Sequence, residues 1–203
     1  MSKEDKFFQM ATTLPFDEQK DERDETSIPE LVRVAELRDQ GSAQEAIDYG
    51  KALIKMYPDN DLIPFMLAYI YYQRHFPDEA LQIAIESIPK CPRKYRLYSV
   101  AGLAEYDKDR VPEALVWWSR SVIAQCKVVD FQEVDPFLHL AHIAKILGAK
   151  HESEVFFAMV DAMEPGVRLS EGEISKLEIV KKSWASKPTV QVLKHLEEKY
   201  LHG

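Results

Sequence analysis

Cysteine and glycine are both scarce in this chain. Only two cysteines, Cys91 and Cys126, occur among 203 residues, and they stand 35 positions apart without a CxxC motif. A disulfide framework or a cysteine-based metal site therefore has no support. The seven glycines argue against turn-rich β architectures and against glycine-rich phosphate-binding loops.

Long apolar runs and excess positive charge are also missing. The longest apolar stretch, 62–72, contains Pro64 and falls short of the roughly 18 residues that a membrane span requires. No secretory signal is evident near the N-terminus, so we expect a cytoplasmic protein with no membrane span. Acidic residues outnumber basic ones by 34 to 26, which gives a formal charge of −8. Because nucleic-acid binders usually carry the opposite sign, we expect no nucleic-acid partner.

The main positive signal is an internal repeat. Glu-Ala pairs recur every 34 residues, at positions 45–46, 79–80 and 113–114, and Pro58 and Pro92 have the same separation. Gly148 lies three periods plus five residues after Gly41, and Pro165 lies two periods plus five after Pro92. Both offsets indicate one insertion of five residues near 129–133.

This period and pattern resemble the tetratricopeptide repeat (TPR). The matching units are 27–60, 61–94, 95–128 and 134–167, between an N-terminal arm (1–26) and a C-terminal segment (168–203). The resemblance implies an all-α fold: a right-handed α-solenoid of stacked helix-turn-helix repeats, with about ten helices in all. Small residues at the Glu-Ala positions let paired helices approach closely, whereas Ser153 at the fourth position predicts looser packing. Prolines at unit ends, together with Pro89, are expected to stop the second helices.

The two ends depart from the repeat. The N-terminal arm is acidic, and its residues 17–25 look solvated and partly mobile. It also carries an apolar cluster that includes Phe7 and Phe8. We interpret the arm as a frayed tail or a short helix covering the first repeat; the alternative is an arm that docks on a partner or occupies its own groove.

The C-terminal segment has the pattern of capping helices. Ser170 and Glu173 form a predicted capping box, followed by apolar residues at helical spacing up to Trp184. Pro188 is expected to break this helix, with another starting at Thr189. Repeat arrays need an end unit with one polar face, so 168–203 is interpreted as a cap; the alternative is a dimerisation helix.

The resemblance also implies a binding surface, because the first helices of such repeats line a concave groove that binds peptides. Carrying that register onto this chain predicts an apolar and aromatic groove for an apolar peptide or helix. Its residues are Leu31, Phe65, Tyr69, Tyr72, Leu103, Tyr106, Leu138 and His142. Family members that grip acidic chaperone tails use a clamp of Lys, Asn and Arg, which this chain lacks. The corresponding positions hold Leu31, Ala35, Met66, Ser99 and Leu103.

Two aromatic doublets, 117–118 and 156–157, occupy the same register of the third and fourth units. The second member of each doublet is expected in the core. The first members, Trp117 and Phe156, are expected to pack against the adjacent helix. The alternative is that they form a convex patch for a second partner.

Catalytic and metal-binding motifs are weak. Asp135, His139 and His142 have i, i+4 and i+7 spacing, which can place zinc ligands on one helix face. No HExxH motif or second ligand cluster accompanies them, so we predict no metal and no cofactor. Because no nucleophile elbow or phosphate-binding loop is present either, we predict that the protein is not an enzyme; an enzyme on a helical-repeat fold is the least favoured alternative.

The sequence therefore predicts a protein–protein interaction module, a TPR scaffold or adaptor that binds a protein or peptide partner. The alternative is a dedicated cytoplasmic chaperone for an exported or assembling client. Such a chaperone would be similar to the type III secretion translocator chaperones, which share an N-terminal arm, a C-terminal helix, acidic charge and a tyrosine-lined groove. This chain differs from them by its fourth unit and its longer C-terminal segment.

Overall fold

The computed structural model describes residues 1–16, 28–127, 133–183 and 185–202. Over these residues the fold is all-α, with eleven α-helices and no strand, one helix more than expected. Three predictions lie outside the described residues: the mobility of 17–25, the insertion up to residue 132, and the place of Trp184 in the C-terminal pattern.

The helices follow one another with short connections. They are α1 (Lys3–Thr12), α2 (Pro29–Asp39), α3 (Ala43–Met56), α4 (Leu62–Gln73), α5 (Pro77–Ser87), α6 (Tyr95–Asp107), α7 (Val111–Gln125), α8 (Val134–Ile146), α9 (Lys150–Met163), α10 (Glu171–Leu177) and α11 (Ser186–Leu196). A 3-10 turn (Glu178–Lys181) follows α10, and a π-helical turn (Glu197–Leu201) follows α11.

The helices α2 to α9 pack in adjacent pairs. The pairs are α2 with α3, α4 with α5, α6 with α7, and α8 with α9, and each second helix also contacts the first helix of the next pair. One pair lies within each of the four units predicted from the sequence. None of the described helices has the length and hydropathy of a membrane span.

The turn inside each pair has the same backbone geometry. One residue of every turn has a positive φ: Gly41 (80°), His75 (60°), Asp109 (61°) and Gly148 (74°). These positions are 34, 34 and 39 residues apart, so the backbone repeats with the period of the sequence and with its five-residue offset. In every turn the amide of the residue after the positive-φ position donates to the carbonyl five residues before it, over 2.9–3.0 Å, as in a Schellman motif.

The helices of a pair meet at small residues. Ala46, Ala80 and Ala114 are fully buried, as their spacing predicts. Ser153, at the fourth such position, is also buried, and its hydroxyl donates to the carbonyl of Ala141 on the facing helix over 3.1 Å. The serine therefore joins α8 and α9 by a hydrogen bond, whereas the other three pairs have the buried methyl group of an alanine at this position.

Two prolines and one capping box act where the sequence predicts, whereas a third proline does not. The helix α3 ends two residues before Pro58, and α5 ends two residues before Pro89, which confirms that Pro89 stops it early. Ser170 and Glu173 form the predicted capping box at the start of α10. Pro188 does not separate two helices, because α11 already begins at Ser186 and takes the proline into its first turn, where a missing N–H is harmless.

The N-terminal helix α1 packs against the third unit and the C-terminal segment. It contacts α7 and α11, and Phe7 is 4% exposed there. The guanidinium of Arg120 on α7 donates to the carbonyl of Met10 over 2.8 Å, and the ring of Phe8 meets His195 of α11 edge-on at 5.5 Å. Among the described residues, the helix of the arm therefore lies on α7 and α11, and neither on the first repeat nor in the predicted groove.

Candidate protein-binding site

Three aromatic side chains form a ladder along one face of α4. Phe65, Tyr69 and Tyr72 follow i, i+4 and i+7 spacing, which brings side chains to the same side of a helix. The ring centroids of Phe65 and Tyr69 are 5.9 Å apart, and those of Tyr69 and Tyr72 are 6.0 Å apart. All three side chains are half-buried, so each presents part of its ring to the surface. We call these three residues the aromatic ladder.

The ladder rests on the next helix pairs. Phe65, Tyr69 and Tyr72 pack against a buried cluster that contains Ala68, Ala84 and Ala101. Tyr69 and Tyr72 also pack against the large cluster that includes residues of α6 and α8. Because α4 packs against α6 as well as against its partner α5, the ladder is held on a rigid support.

Burial and nearby carboxylates raise the pKa values of the two tyrosines of the ladder. Burial raises the pKa of Tyr69, and the charges of Asp135 and Glu133 raise it further. Burial also raises the pKa of Tyr72 to about 12, with contributions from Asp107 and Asp135. Both phenols are therefore protonated at neutral pH and can donate hydrogen bonds to a bound peptide.

The C-terminal half of the predicted groove is covered. Leu103, Tyr106, Leu138 and His142 are each 2–6% exposed. Leu103, Tyr106 and Leu138 belong to the same buried cluster as Leu177 at the end of α10. The interpretation of these four residues as an open peptide-binding surface is therefore wrong. The sequence predicted that the segment after α9 caps the array, but α10 and the 3-10 turn fold back onto α8.

Polar contacts join α10 to the end of α6. The hydroxyl of Tyr106 donates to the carbonyl of Glu173 over 2.8 Å. Lys176 lies 4.6 Å above the Tyr106 ring, donates to the carbonyl of Asp107 over 3.3 Å, and pairs with Asp109 at 3.0 Å. These contacts fix α10 over the third unit.

Leu31, from the first unit, is 5% exposed and is not accessible either. It packs in the cluster that α2, α3 and α4 share, together with Val34 and Leu37. Of the eight predicted groove residues, the structure therefore leaves only the aromatic ladder partly accessible. The ladder is about 10 Å long, the rise of two helical turns.

The alternative of a convex aromatic patch is not supported. Phe156 is fully buried against Phe137 of α8, which agrees with the expectation that it packs against the adjacent helix. Its neighbour Phe157 is instead half-buried beside His142, which reverses the orientation expected for this doublet. Trp118 is fully buried as expected, and Trp117 is half-buried, stacked on Tyr98 at 5.9 Å.

Trp117 does contribute to a cavity beneath the N-terminal helix. The cavity has a volume of about 510 Å³ and lies between α1 and α7. Its lining includes Phe7, Met10, Val116, Trp117 and Arg120. The guanidinium of Arg120 lies 5.0 Å from the ring of Trp117. The sequence does not predict this contact; the available signal was the capping box of Ser2 and Asp5, which starts a helix there.

The residues Asp135, His139 and His142 do not point at a common ligand. Nδ1 of His139 lies 2.8 Å from the carbonyl oxygen of Asp135, and because a carbonyl only accepts, Nδ1 is the donor. The imidazole stacks on Trp118 at 4.2 Å, while His142 meets Phe157 edge-on at 5.0 Å. Burial lowers the pKa of His139 to about 4, which keeps the ring neutral.

An ion-pair network lies beside the ladder. Asp61, at the start of α4, is buried and pairs with Arg93 at 3.3 Å and with Arg96 at 3.5 Å. Arg96 also pairs with Glu133 at 3.3 Å, just before α8. The network joins the second and third units to the residue that precedes α8. The same Glu133 carboxylate contributes to raising the pKa of Tyr69.

Comparison with family models, with curated proteins and with solved structures finds no match for this chain. The class of the protein therefore follows from its own geometry: an all-α chain of paired helices in which a 34-residue backbone period is visible.

Proposed function

We propose that this protein is a non-enzymatic protein–protein interaction module, a TPR-like scaffold or adaptor with a right-handed solenoid of repeats, and that it works in the cytoplasm. The observation that carries the proposal is the aromatic ladder. Its three rings are partly accessible and rigidly supported, while the rest of the predicted groove is covered. Aromatic side chains with a rigid face and a polar tip are the usual anchors of protein interfaces.

The length of the ladder and the carboxylates near it indicate what kind of partner we propose. A surface of about two helical turns matches a short apolar segment, bound as an amphipathic helix or an extended strand. The carboxylates of Asp107, Asp135 and Glu173 act on Tyr72. The preferred partner is therefore a short apolar segment flanked by Lys or Arg, since opposite charges at the rim favour encounter and register.

A displayed library of random peptides tests this proposal directly. We expect selection on the wild-type protein to enrich apolar peptides with basic flanks. Tyr69→Ala and Tyr72→Ala should each weaken the binding of such a peptide by about 2 kcal/mol, the cost of removing an interface anchor. The double variant Tyr69→Arg/Tyr72→Arg should abolish binding, and circular dichroism checks that it is folded.

The matched control carries the same added charge away from the ladder. Val32 and Met56 are 56% and 59% exposed and lie on the first helix pair, outside α4. Val32→Arg/Met56→Arg should bind the selected peptides as the wild type does. Equal binding by the ladder variants and the wild type would refute the proposal. A protein client that is soluble only when co-expressed would identify a chaperone, whereas a stable folded partner would identify an adaptor.

A further inference from the structure

Two histidines and a buried glutamate meet at the end of the chain, away from the ladder. They are His151 in the first turn of α9, Glu197 at the start of the π-helical turn, and His202 just after that turn. One ligand atom from each lies within 4.8 Å of the other two. Among the described residues this is the one group of three metal-ligating side chains that converge in this way.

The geometry of this cluster suits a cation. Nε2 of His151 lies 3.0 Å from Oε1 of Glu197, and Nε2 of His202 contacts the same oxygen. Two ligands of a tetrahedral zinc ion, bound at about 2.0–2.1 Å, are separated by about 3.3–3.4 Å, so the His151–Glu197 pair lies within a few tenths of an ångström of the required spacing. The two imidazole rings are 6.2 Å apart and nearly parallel, at 27°.

The buried charge of Glu197 also favours a bound cation. The Glu197 side chain is 4% exposed, and the ion-pair partners that the described part of the chain offers it are two histidines, which are charged only when protonated. A buried carboxylate requires a compensating positive charge, which a divalent cation supplies. The histidine side chains are 65% and 56% exposed, so solvent can reach the cluster and water can fill the remaining coordination position.

We propose that His151, Glu197 and His202 form a binding site for one divalent transition-metal ion, with zinc as the ion that this donor set suits. Imidazole nitrogen and carboxylate oxygen are both zinc ligands, and three of them leave a position for water. Because His151 lies 46 residues before Glu197, the ion joins the segment 197–202 to α9. Metal binding then stabilises the docking of the C-terminal segment, which also supports α1 through α11.

Calorimetric titration of the untagged full-length protein with ZnCl₂ tests this site. We expect one zinc ion per chain. His151→Gln and His202→Gln change exposed side chains, so both variants should fold. Each removes a proposed ligand and should lose at least tenfold in affinity, since even a change next to a metal ligand costs about 10–100-fold. His75→Gln is the matched control, because His75 is exposed and lies in the turn between α4 and α5, and it should bind zinc like the wild type.

Two further measurements report on the site itself. Substitution with Co²⁺ should give visible absorption bands in the wild type and in His75→Gln, and these bands should be lost in the two ligand variants. Zinc should also slow amide hydrogen exchange in 197–201 and raise the unfolding temperature, in the wild type and the control only. Substoichiometric zinc binding, or equal affinity in all four proteins, would overturn the proposal.

Discussion

The indole of Trp118 occupies the space that a side chain at Gly102 would need. A Cβ atom built on Gly102 would lie 2.3 Å from Nε1 of Trp118 and 2.4 Å from its Cδ1. The indole is fully buried, and the ring of His139 stacks on its face at 4.2 Å. The contact between α6 and α7 therefore depends on a glycine in the middle of a helix, where glycine is otherwise unfavourable.

Gly102→Ala should destabilise the protein. Added volume in a well-packed core costs about 1–3 kcal/mol, which exceeds the gain of about 1 kcal/mol that alanine brings to a helix. Gly50→Ala is the matched control, because Gly50 is also buried in a helix and a Cβ there would only touch Leu67 at 3.5 Å. Urea unfolding measures both. A Gly102→Ala variant as stable as the wild type would contradict the observed packing.

Removing the side chain of Phe7 should release the N-terminal helix. The ring is buried in the cluster that α1 shares with α7 and α11, so Phe7→Ala should cost on the order of 3 kcal/mol of docking free energy. Hydrogen exchange should become faster in 3–12 and stay unchanged in α2 to α5. Phe16→Ala is the control, since Phe16 is 44% exposed. Unchanged protection of α1 in the Phe7 variant would show that α1 does not depend on this contact.

The free energy of unfolding should depend on pH through Asp135 and His139, which change it in opposite directions. Burial raises the pKa of Asp135 to about 6, so its contribution to stability is complete below pH 4 and is lost as pH rises through 6. Burial lowers the pKa of His139 to about 4, so its contribution is present above pH 6.5 and is lost as pH falls towards 4. In the wild type the two effects oppose each other between pH 4 and 6.5.

Asp135→Asn removes one of these effects and leaves the other. The free energy of unfolding of this variant should fall more steeply than that of the wild type between pH 6.5 and 4. The difference should be on the order of 2 kcal/mol across this range, since each pKa unit is worth about 1.4 kcal/mol. Urea unfolding at a series of pH values measures the difference. Parallel curves for variant and wild type would show that the pKa of Asp135 is not raised.

Loss of the Tyr106 hydroxyl should loosen the cover over the groove. Tyr106→Phe keeps the ring in place and removes the hydrogen bond to the carbonyl of Glu173. A hydrogen bond of this kind contributes about 1 kcal/mol, so exchange in 171–177 should accelerate several-fold. Tyr49→Phe, on α3, is a control that should leave this exchange unchanged. If α10 exchanges equally in both variants, the hydroxyl does not hold the cover.

The sequence by itself determined the local features of this fold. The 34-residue period, its five-residue offset and the ends of α3 and α5 follow from alanine, proline and glycine at fixed spacings. These residues act on their own turn or on the adjacent helix, so interactions within about one repeat decide the result. The aromatic ladder belongs to the same category, because i, i+4, i+7 spacing on one helix fixes which side chains share a face.

Only the tertiary structure decided what covers the repeats and what remains accessible. Arg120 binds the carbonyl of Met10, 110 residues away, and Tyr106 binds that of Glu173, 67 residues away. No sequence spacing encodes such contacts, because they depend on where the chain ends dock after the repeats have stacked. The same limitation applies to the convergence of His151, Glu197 and His202, and to which phenylalanine of the 156–157 doublet turns inwards.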